Sequence, residues 1–393
     1  MAGTGAEDKV TGKELSEKRP WRALSTLLAS GVVAIVTWFP LAALIFTVLL
    51  AWSPVSRKFR LLRVRGVPSG RVALLAYLGW LFLDRSTPAN GGRPVQWLRS
   101  QAMMTWFRKF FPCTLVKAFN GPLDSTRRFV VACHPHGVMG IGVWAHFMLE
   151  GGALPGIDYR VLTLSENFRI PFWRDWLLSL GFVDCSRSSV SRLLKGGTSV
   201  VVVVGGAREA LDARPGTNDL TLSSRFGFVR IAMESGASLI PVFSFGETDT
   251  FTQLLPNPPG SRLRALQEKL LSIYGYSVPI VMGSRGLPRR TPILTVVGEP
   301  VEVPHVPEGP SPEQLKAAHA KYVSALKALY EAHAASFYHP NPVPELRIVD
   351  EDRGEGEGAN FDSVEVDRDW AHPGGGPGAK QREGGPAVTA ARL

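Results

Sequence analysis

The stretch Phe129-Val130-Val131-Ala132-Cys133-His134-Pro135-His136-Gly137 decides how the chain reads. An apolar run rich in β-formers leads straight into two imidazoles and a glycine. So short and continuous a run suits a strand covered on both faces. In an open α/β sheet, chemistry gathers where such strands end. The same texture recurs downstream. Strands are predicted at 129–133, 160–164, 199–204, 238–245, 279–282 and 293–297, and helices at 171–180, 189–195, 225–235 and 263–273. Gly236 stands where a helix C-cap belongs. A last helix is predicted to start at Ser311-Pro312-Glu313-Gln314, a capping-box pattern, with Leu315, Tyr322, Leu326, Leu329 and Tyr330 at helical spacing. The expected class is α/β with a mostly parallel sheet.

Upstream, residues 23–56 carry no charge over 34 positions. One straight helix of that length would measure roughly 51 Å, against a hydrocarbon core about 30 Å thick. Two full spans would need about 40 residues. Pro40 lies near the middle. Lys18, Arg19 and Arg22 precede the run, and Arg57, Lys58, Arg60, Arg63, Arg65 and Arg71 follow it. Both ends therefore prefer the cytoplasmic side, which favours a re-entrant helical hairpin over one crossing. The apolar run 72–83 is too short to span, and either lies in the interface or packs on the domain behind it. The first 22 residues are too charged and mixed for a signal peptide.

The chain has 393 residues, 45% of them hydrophobic, so a large core can form. Net charge is +10, but residues 350–393 hold ten acids against five bases, so the body is about +15. A basic body suits phospholipid headgroups, a phosphorylated cofactor or nucleic acid, the last least, since no nucleic-acid motif is present. Cys113, Cys133 and Cys185 form no CxxC pair, which suits a reducing, cytosol-facing protein. The expected organisation is a flexible cytosolic N-terminus at 1–22, a membrane hairpin at 23–56, a basic interfacial segment at 57–125, a catalytic domain at 126–349 and a disordered acidic, Gly-rich tail at 350–393.

Three strand ends carry the candidate site. At the first, His134 and His136 can act as general bases near neutral pH, and Gly137 lets a substrate approach the backbone. A metal is not expected: HxHxDH would need Asp and His after Gly137, where Val138 and Met139 stand. A GxSxG elbow is absent. At the second, Gly205, Gly206, Arg208 and Glu209 follow an apolar run; glycine N–H groups can meet an oxyanion, Arg208 a phosphate, and Glu209 an imidazole. At the third, Glu247 follows Phe245-Gly246. Arg225 opens the helix before that strand as a further anion contact.

These motifs resemble the diacylglycerol acyltransferase type 2 family, which includes monoacylglycerol and wax-alcohol acyltransferases. The resemblance lies in TPANGGRPVQWLRS (87–100), FFPCTLVK (110–117), ACHPHGVMGIG (132–142), VVVVGGAREAL (201–211) and GFVRIAMESGASLIPVFSFGE (227–247), and covers about residues 80–340. It implies a glycerolipid-acyltransferase-like sheet behind a membrane hairpin. It also implies acyl transfer from acyl-CoA, as co-substrate, to a lipid hydroxyl, with diacylglycerol as acceptor and no separate cofactor. Monoacylglycerol or a fatty alcohol are the alternative acceptors, and a non-catalytic lipid-binding protein is a distant one. The implied location is the endoplasmic reticulum membrane, with a lipid-droplet surface as a second site. Membrane lipids are implied partners, and self-association is compatible with the resemblance. HPHG is the family's proposed catalytic motif and looks related to HxxxxD, but Met139 stands where that Asp would be. His134 is therefore expected to be the base and His136 to shape the turn or share the role. Glu209 is expected to orient the imidazole, and Gly137, Gly205, Gly206, Arg208, Arg225 and Glu247 to bind substrate or the oxyanion.

Overall fold

The structure is a computed structural model, and it describes residues 12–52, 63–64, 67–148 and 152–349. A seven-stranded sheet organises it. In chain order its strands are β1 (Cys113–Lys117), β2 (Phe129–His134), β3 (Tyr159–Thr163), β4 (Phe182–Asp184), β5 (Ser199–Val203), β6 (Ser238–Phe245) and β7 (Ile293–Val297). They lie in the order β1-β7-β6-β2-β5-β3-β4. From β6 across to β4 every neighbour is parallel; β7 runs antiparallel to β6 and parallel to β1. The sheet is thus mostly parallel, with one reversed edge pair.

Every residue of β2 and β6 is buried, as the continuous apolar runs require. Alternation sorts them. Phe129, Val131 and Cys133 face one layer, and Val130 and Ala132 face the other. The first layer contains α1 (Gly12–Trp52), α3 (Ala102–Phe110), α4 (Ile141–Phe147) and α5 (Trp173–Leu180); α2 (Ser69–Leu83) packs on α1. The second contains α6 (Arg187–Lys195), α8 (Gly227–Ser235) and α10 (Pro312–Tyr338). Two shorter roles fall to α7 (Gly206–Asp212), after β5, and α9 (Arg262–Tyr274), in an excursion between β6 and β7. The capping box at Ser311 and Gln314 forms, and Gly236 ends α8 in the left-handed region.

Several expectations change. The hairpin expected over 23–56 is a single helix, since α1 runs unbroken through Pro40 to Trp52. Proline removes one hydrogen bond and bends a helix, but a reversal needs a loop, and residues 35–45 hold no glycine, asparagine or serine to make one. Within α1, Thr26–Ala51 is long and apolar enough to cross a membrane. Helix α1 also takes in residues 12–22, expected to be flexible. The expected boundary at 126 moves upstream, because β1 is paired to β7 along its whole length and Phe107 and Phe111 sit in the core. Residues 279–282 do not join the sheet; Val281–Met282 pairs only with Thr252–Gln253. Residues 1–11 and the tail 350–393 lie outside the described residues.

Helix α1 presents two faces. Ala29, Val32, Val33, Val36 and Ala43 are buried in the same cluster as Phe107, Ile141 and Val131. Phe39 meets Trp173 and Trp176 edge-on, with ring centroids 5.8 and 5.4 Å away. The other face exposes Ile35, Leu41, Leu44, Ile45, Val48 and Leu49. Helix α2 likewise exposes Leu75, Trp80, Phe82 and Leu83, while the hydroxyl of its Tyr77 donates to Asp175 on α5. The run 72–83 therefore packs on the domain, through a polar latch, and keeps an exposed apolar surface.

Candidate active site

Strands β6, β2 and β5 lie side by side and parallel, so the three strand ends singled out in the sequence converge. β2 ends at His134 and delivers Pro135, His136 and Gly137. β5 is followed by Gly205 and Gly206 and by α7, with Arg208 and Glu209. β6 is followed by Gly246 and Glu247. A carboxylate thus stands on each side of the histidine loop.

The two histidines occupy different environments. His134 is 1% exposed, on the α10 side of the sheet, with Nε2 2.9 Å from the Tyr322 hydroxyl. Burial, helped by the neighbouring His319, pushes it down to about 3. His136 lies past the strand end and is only half-buried. Its Nδ1 lies 2.9 Å from the Gly137 carbonyl. A carbonyl only accepts, so Nδ1 carries the proton and Nε2 is left with its lone pair. Burial lowers the His136 pKa, so the ring is neutral at neutral pH.

Glu209 is 2% exposed. Its Oε1 accepts from the His136 backbone N–H at 2.5 Å and its Oε2 from the Thr221 N–H at 3.1 Å. It therefore holds the backbone that carries the imidazole rather than the ring itself. Burial raises it to about 7, against those two hydrogen bonds and the nearby charge of Arg225. Gly205 is required here, since a Cβ there would stand 1.9 Å from Glu209 Oε2.

Glu247 is its counterpart. It is 1% exposed, and its carboxylate accepts from the N–H groups of Ile141 (2.7 Å) and Gly142 (2.8 Å) at the start of α4. Burial raises it, too, to about 7. Gly137, at φ +56°, lies against it: a Cβ there would meet Glu247 Cγ at 2.7 Å. Glu247 and Gly137 thus shape the loop from its β6 side. Gly206 opens α7 at φ +62°. Arg208 is exposed beside it, and Arg225 is half-buried close enough to Glu209 to favour its ionised form.

Three participants escaped the sequence reading. Helical spacing presents Tyr322 as a packing residue of the last helix, yet its hydroxyl lies between His134 Nε2 and the Ala132 carbonyl, 3.3 Å away. Thr221 contributes only its backbone, which no side-chain pattern signals. Met139 brings its sulfur 3.9 Å from the Thr37 hydroxyl, so the histidine loop rests on α1. The cavity of about 460 Å³ lined by Arg99, Tyr159 and Arg160 lies at the opposite, N-terminal end of β3.

Comparison with known proteins shows the family. A model of the diacylglycerol acyltransferase family matches residues 69–345, a span that includes all three strand ends. The chain is 39% identical over 340 residues to a protein of Umbelopsis ramanniana named diacylglycerol O-acyltransferase 2B, covering 80% of this chain and 90% of that one. It is 40% identical over 281 residues to 2-acylglycerol O-acyltransferase 1 of Bos taurus, covering 68% and 82%. Among solved structures, the 1-acyl-sn-glycerophosphate acyltransferase of Thermotoga maritima covers 81% of this chain at 16% identity and a TM-score of 0.37, a likeness too slight to bear on it.

Proposed function

Because the chain belongs to the diacylglycerol acyltransferase family, we propose that it transfers the acyl group of acyl-CoA to the free hydroxyl of diacylglycerol, with His136 as general base. The observation that carries the assignment of His136 is a contact: Nδ1 lies 2.9 Å from the Gly137 carbonyl, which only accepts, so Nε2 is left as the basic atom of the ring. The base role expected of His134 passes to His136 in this reading, because His134 is sealed behind the strand against Tyr322. His134 becomes a positioning residue.

The step balances without a covalent enzyme intermediate. His136 Nε2 takes the hydroxyl proton as the oxygen attacks the thioester carbonyl. A C–O bond forms, the tetrahedral oxyanion collapses, the C–S bond breaks, and the CoA thiolate recovers the proton from the imidazolium. Gly205 and Gly206, on the adjacent strand end, are assigned to the oxyanion, and Arg208 and Arg225 to the CoA phosphates. Glu209 keeps the imidazole in place through the backbone. The reaction needs no cofactor beyond acyl-CoA as co-substrate. None of the three cysteines suits a nucleophile: burial raises Cys113 and Cys185 to about 12, and Cys133 higher still.

We place the enzyme in the endoplasmic reticulum membrane with its site toward the cytosol, and on lipid droplets as a second location. The apolar faces of α1 and α2, and the contact of Thr37 with Met139, support a site next to lipid. Monoacylglycerol is a second acceptor, favoured by the 40% identity to the Bos taurus relative.

The test uses membranes lacking neutral-lipid synthesis, labelled oleoyl-CoA, and diacylglycerol, monoacylglycerol and hexadecanol in parallel. Triacylglycerol from wild type and none from His136→Ala is the expected result. Full activity of His136→Ala would overturn the base assignment, and product only from another acceptor would change the substrate.

A further inference from the structure

The excursion between β6 and β7 breaks the usual rule for a helix on a water-soluble surface. Helix α9 buries Arg264 and Gln267 beside Leu271 and turns Leu266, Ile273 and Tyr274 outward, each more than half exposed. The polar groups on the inward side are satisfied. Arg264 pairs with both oxygens of Asp212 (2.8 and 3.2 Å) and with Glu268 (2.7 Å). Gln267 donates to the Val278 carbonyl and accepts from Asn257. A helix with charge inside and large apolar groups outside is matched to an apolar exterior.

The pattern is local. Among the described residues, ten large apolar side chains are exposed outside α1 and α2; all but Val95, Trp97 and Val343 fall within residues 252–290. Position and charge name the occupant. Trp38, on the exposed face of α1, donates its indole N–H to the Gly286 carbonyl at 3.1 Å, so the excursion continues the apolar surface of the candidate membrane helix. Residues 252–290 also carry six basic residues and one acid, Glu268. Of the bases, Arg262, Lys269, Arg285 and Arg290 are exposed, and Arg290 donates its Nε–H to the Phe110 carbonyl.

We propose that residues 252–290 form a second membrane-docking element, in which α9 lies in the headgroup–acyl boundary of an anionic lipid surface with Leu266, Ile273 and Tyr274 in the acyl layer. Arg262, Lys269 and Arg285 meet lipid phosphates. The chain then touches the membrane at two places more than two hundred residues apart in sequence, joined by the Trp38–Gly286 contact. Arg264 and Asp212 connect this element to α7, the helix that bears Glu209. The inference rests on the membrane placement of α1 given above.

The full chain is reconstituted into phosphatidylcholine–phosphatidylserine vesicles with one NBD-bearing residue in place of Leu266. A second protein carries the label in place of Ile45 on α1, and a third in place of the exposed Glu331 on α10. The vesicles are prepared with and without phosphatidylcholine bearing a doxyl quencher near the carbonyl end of its chain. The expected result is a blue shift and loss of emission at 266 and 45, none at 331, and a smaller loss at 266 when phosphatidylserine is omitted. Quenching at 45 without quenching at 266 overturns the docking element and leaves α1 in the membrane. A blue shift at 266 that the doxyl lipid does not quench means burial against a second copy or another protein, and also overturns it. Quenching at 266 without quenching at 45 keeps the docking element and removes α1 from the bilayer.

Discussion

The backbone N–H of His136 donates to Glu209 at 2.5 Å, across the seam between β2 and β5. The same carboxylate accepts from the Thr221 N–H through its other oxygen, so each oxygen is engaged by backbone. The imidazole is therefore held by its own main chain and by Gly137, and its Nε2 faces away from the restraint. Glu209 fixes where the proposed base stands and leaves the ring itself untouched.

The two histidines separate by the kind of defect they leave. His136→Ala removes the basic nitrogen from a half-buried site and is expected to lower kcat by about 10²–10⁴-fold with an unchanged melting temperature. Tyr322→Phe removes the polar partner of buried His134 and is expected to cost about 1–3 kcal/mol of stability, with a much smaller loss of rate. Acyl-CoA turnover and thermal unfolding of the same preparations distinguish them. Equal effects of both variants on both readouts would contradict the assignment.

Gly137→Ala meets two obstacles. Its φ of +56° lies in the left-handed region, and its new Cβ falls on Glu247 Cγ, whose carboxylate is tied to α4. The strain is expected to be on the order of 1–3 kcal/mol, and the histidine loop should shift enough to abolish activity. A melting curve and an activity assay suffice; wild-type values in both would mean that the loop is not held this way.

Stability should respond to pH with opposite signs at the carboxylates and the buried histidine. Glu247 rises from its ordinary 4.5 to about 7 in the folded chain, so its contribution is fully present below pH 4.5 and is lost as pH rises through about 7. His134 falls from 6.5 to about 3, so its contribution is present above pH 6.5 and is lost as pH falls toward 3. Relative to Glu247→Gln, the wild type should lose stability between pH 4.5 and 7. Relative to His134→Gln, it should lose stability on acidification below pH 6.5. Melting temperatures across this range, with difference curves that slope the other way, would refute the burial of these groups.

Deleting residues 12–52 should not release a soluble enzyme. Val33 and Val36 belong to the core cluster of Phe107 and Ile141, and Phe39 packs on two tryptophans. The truncated chain is expected to aggregate or to bind hydrophobic dyes and to lose cooperative unfolding. A monodisperse, cooperatively melting product would show that α1 is only an anchor.

The sequence was legible where chemistry and burial coincide. β2 and β6 are apolar throughout because both faces are covered, and each ends in the residues that build the site. Their adjacency is a property of strand order, which no local pattern carries. β4 has only three residues, and β1 is an edge strand of mixed burial, so neither rises above its surroundings. The hairpin expected at Pro40 failed because a breaker was read as a turn. The role of Tyr322 was hidden because an aromatic ring at helical spacing looks the same whether or not its hydroxyl has a partner.

The contact between Thr37 and Met139 has a bearing on depth. Thr37 lies near the midpoint of Thr26–Ala51, and protein covers one side of α1 from Ala29 to Ala43, roughly 21 Å of helix against a hydrocarbon layer about 30 Å thick. An upright helix would carry the His136 loop to mid-bilayer, beyond the reach of a polyanionic thioester. In the membrane placement proposed above, helix α1 therefore runs obliquely, with the domain half sunk in a single leaflet. Under that proposal a neutral glyceride reaches His136 sideways from the leaflet while CoA arrives from water, and the reaction takes place at the boundary between the two solvents.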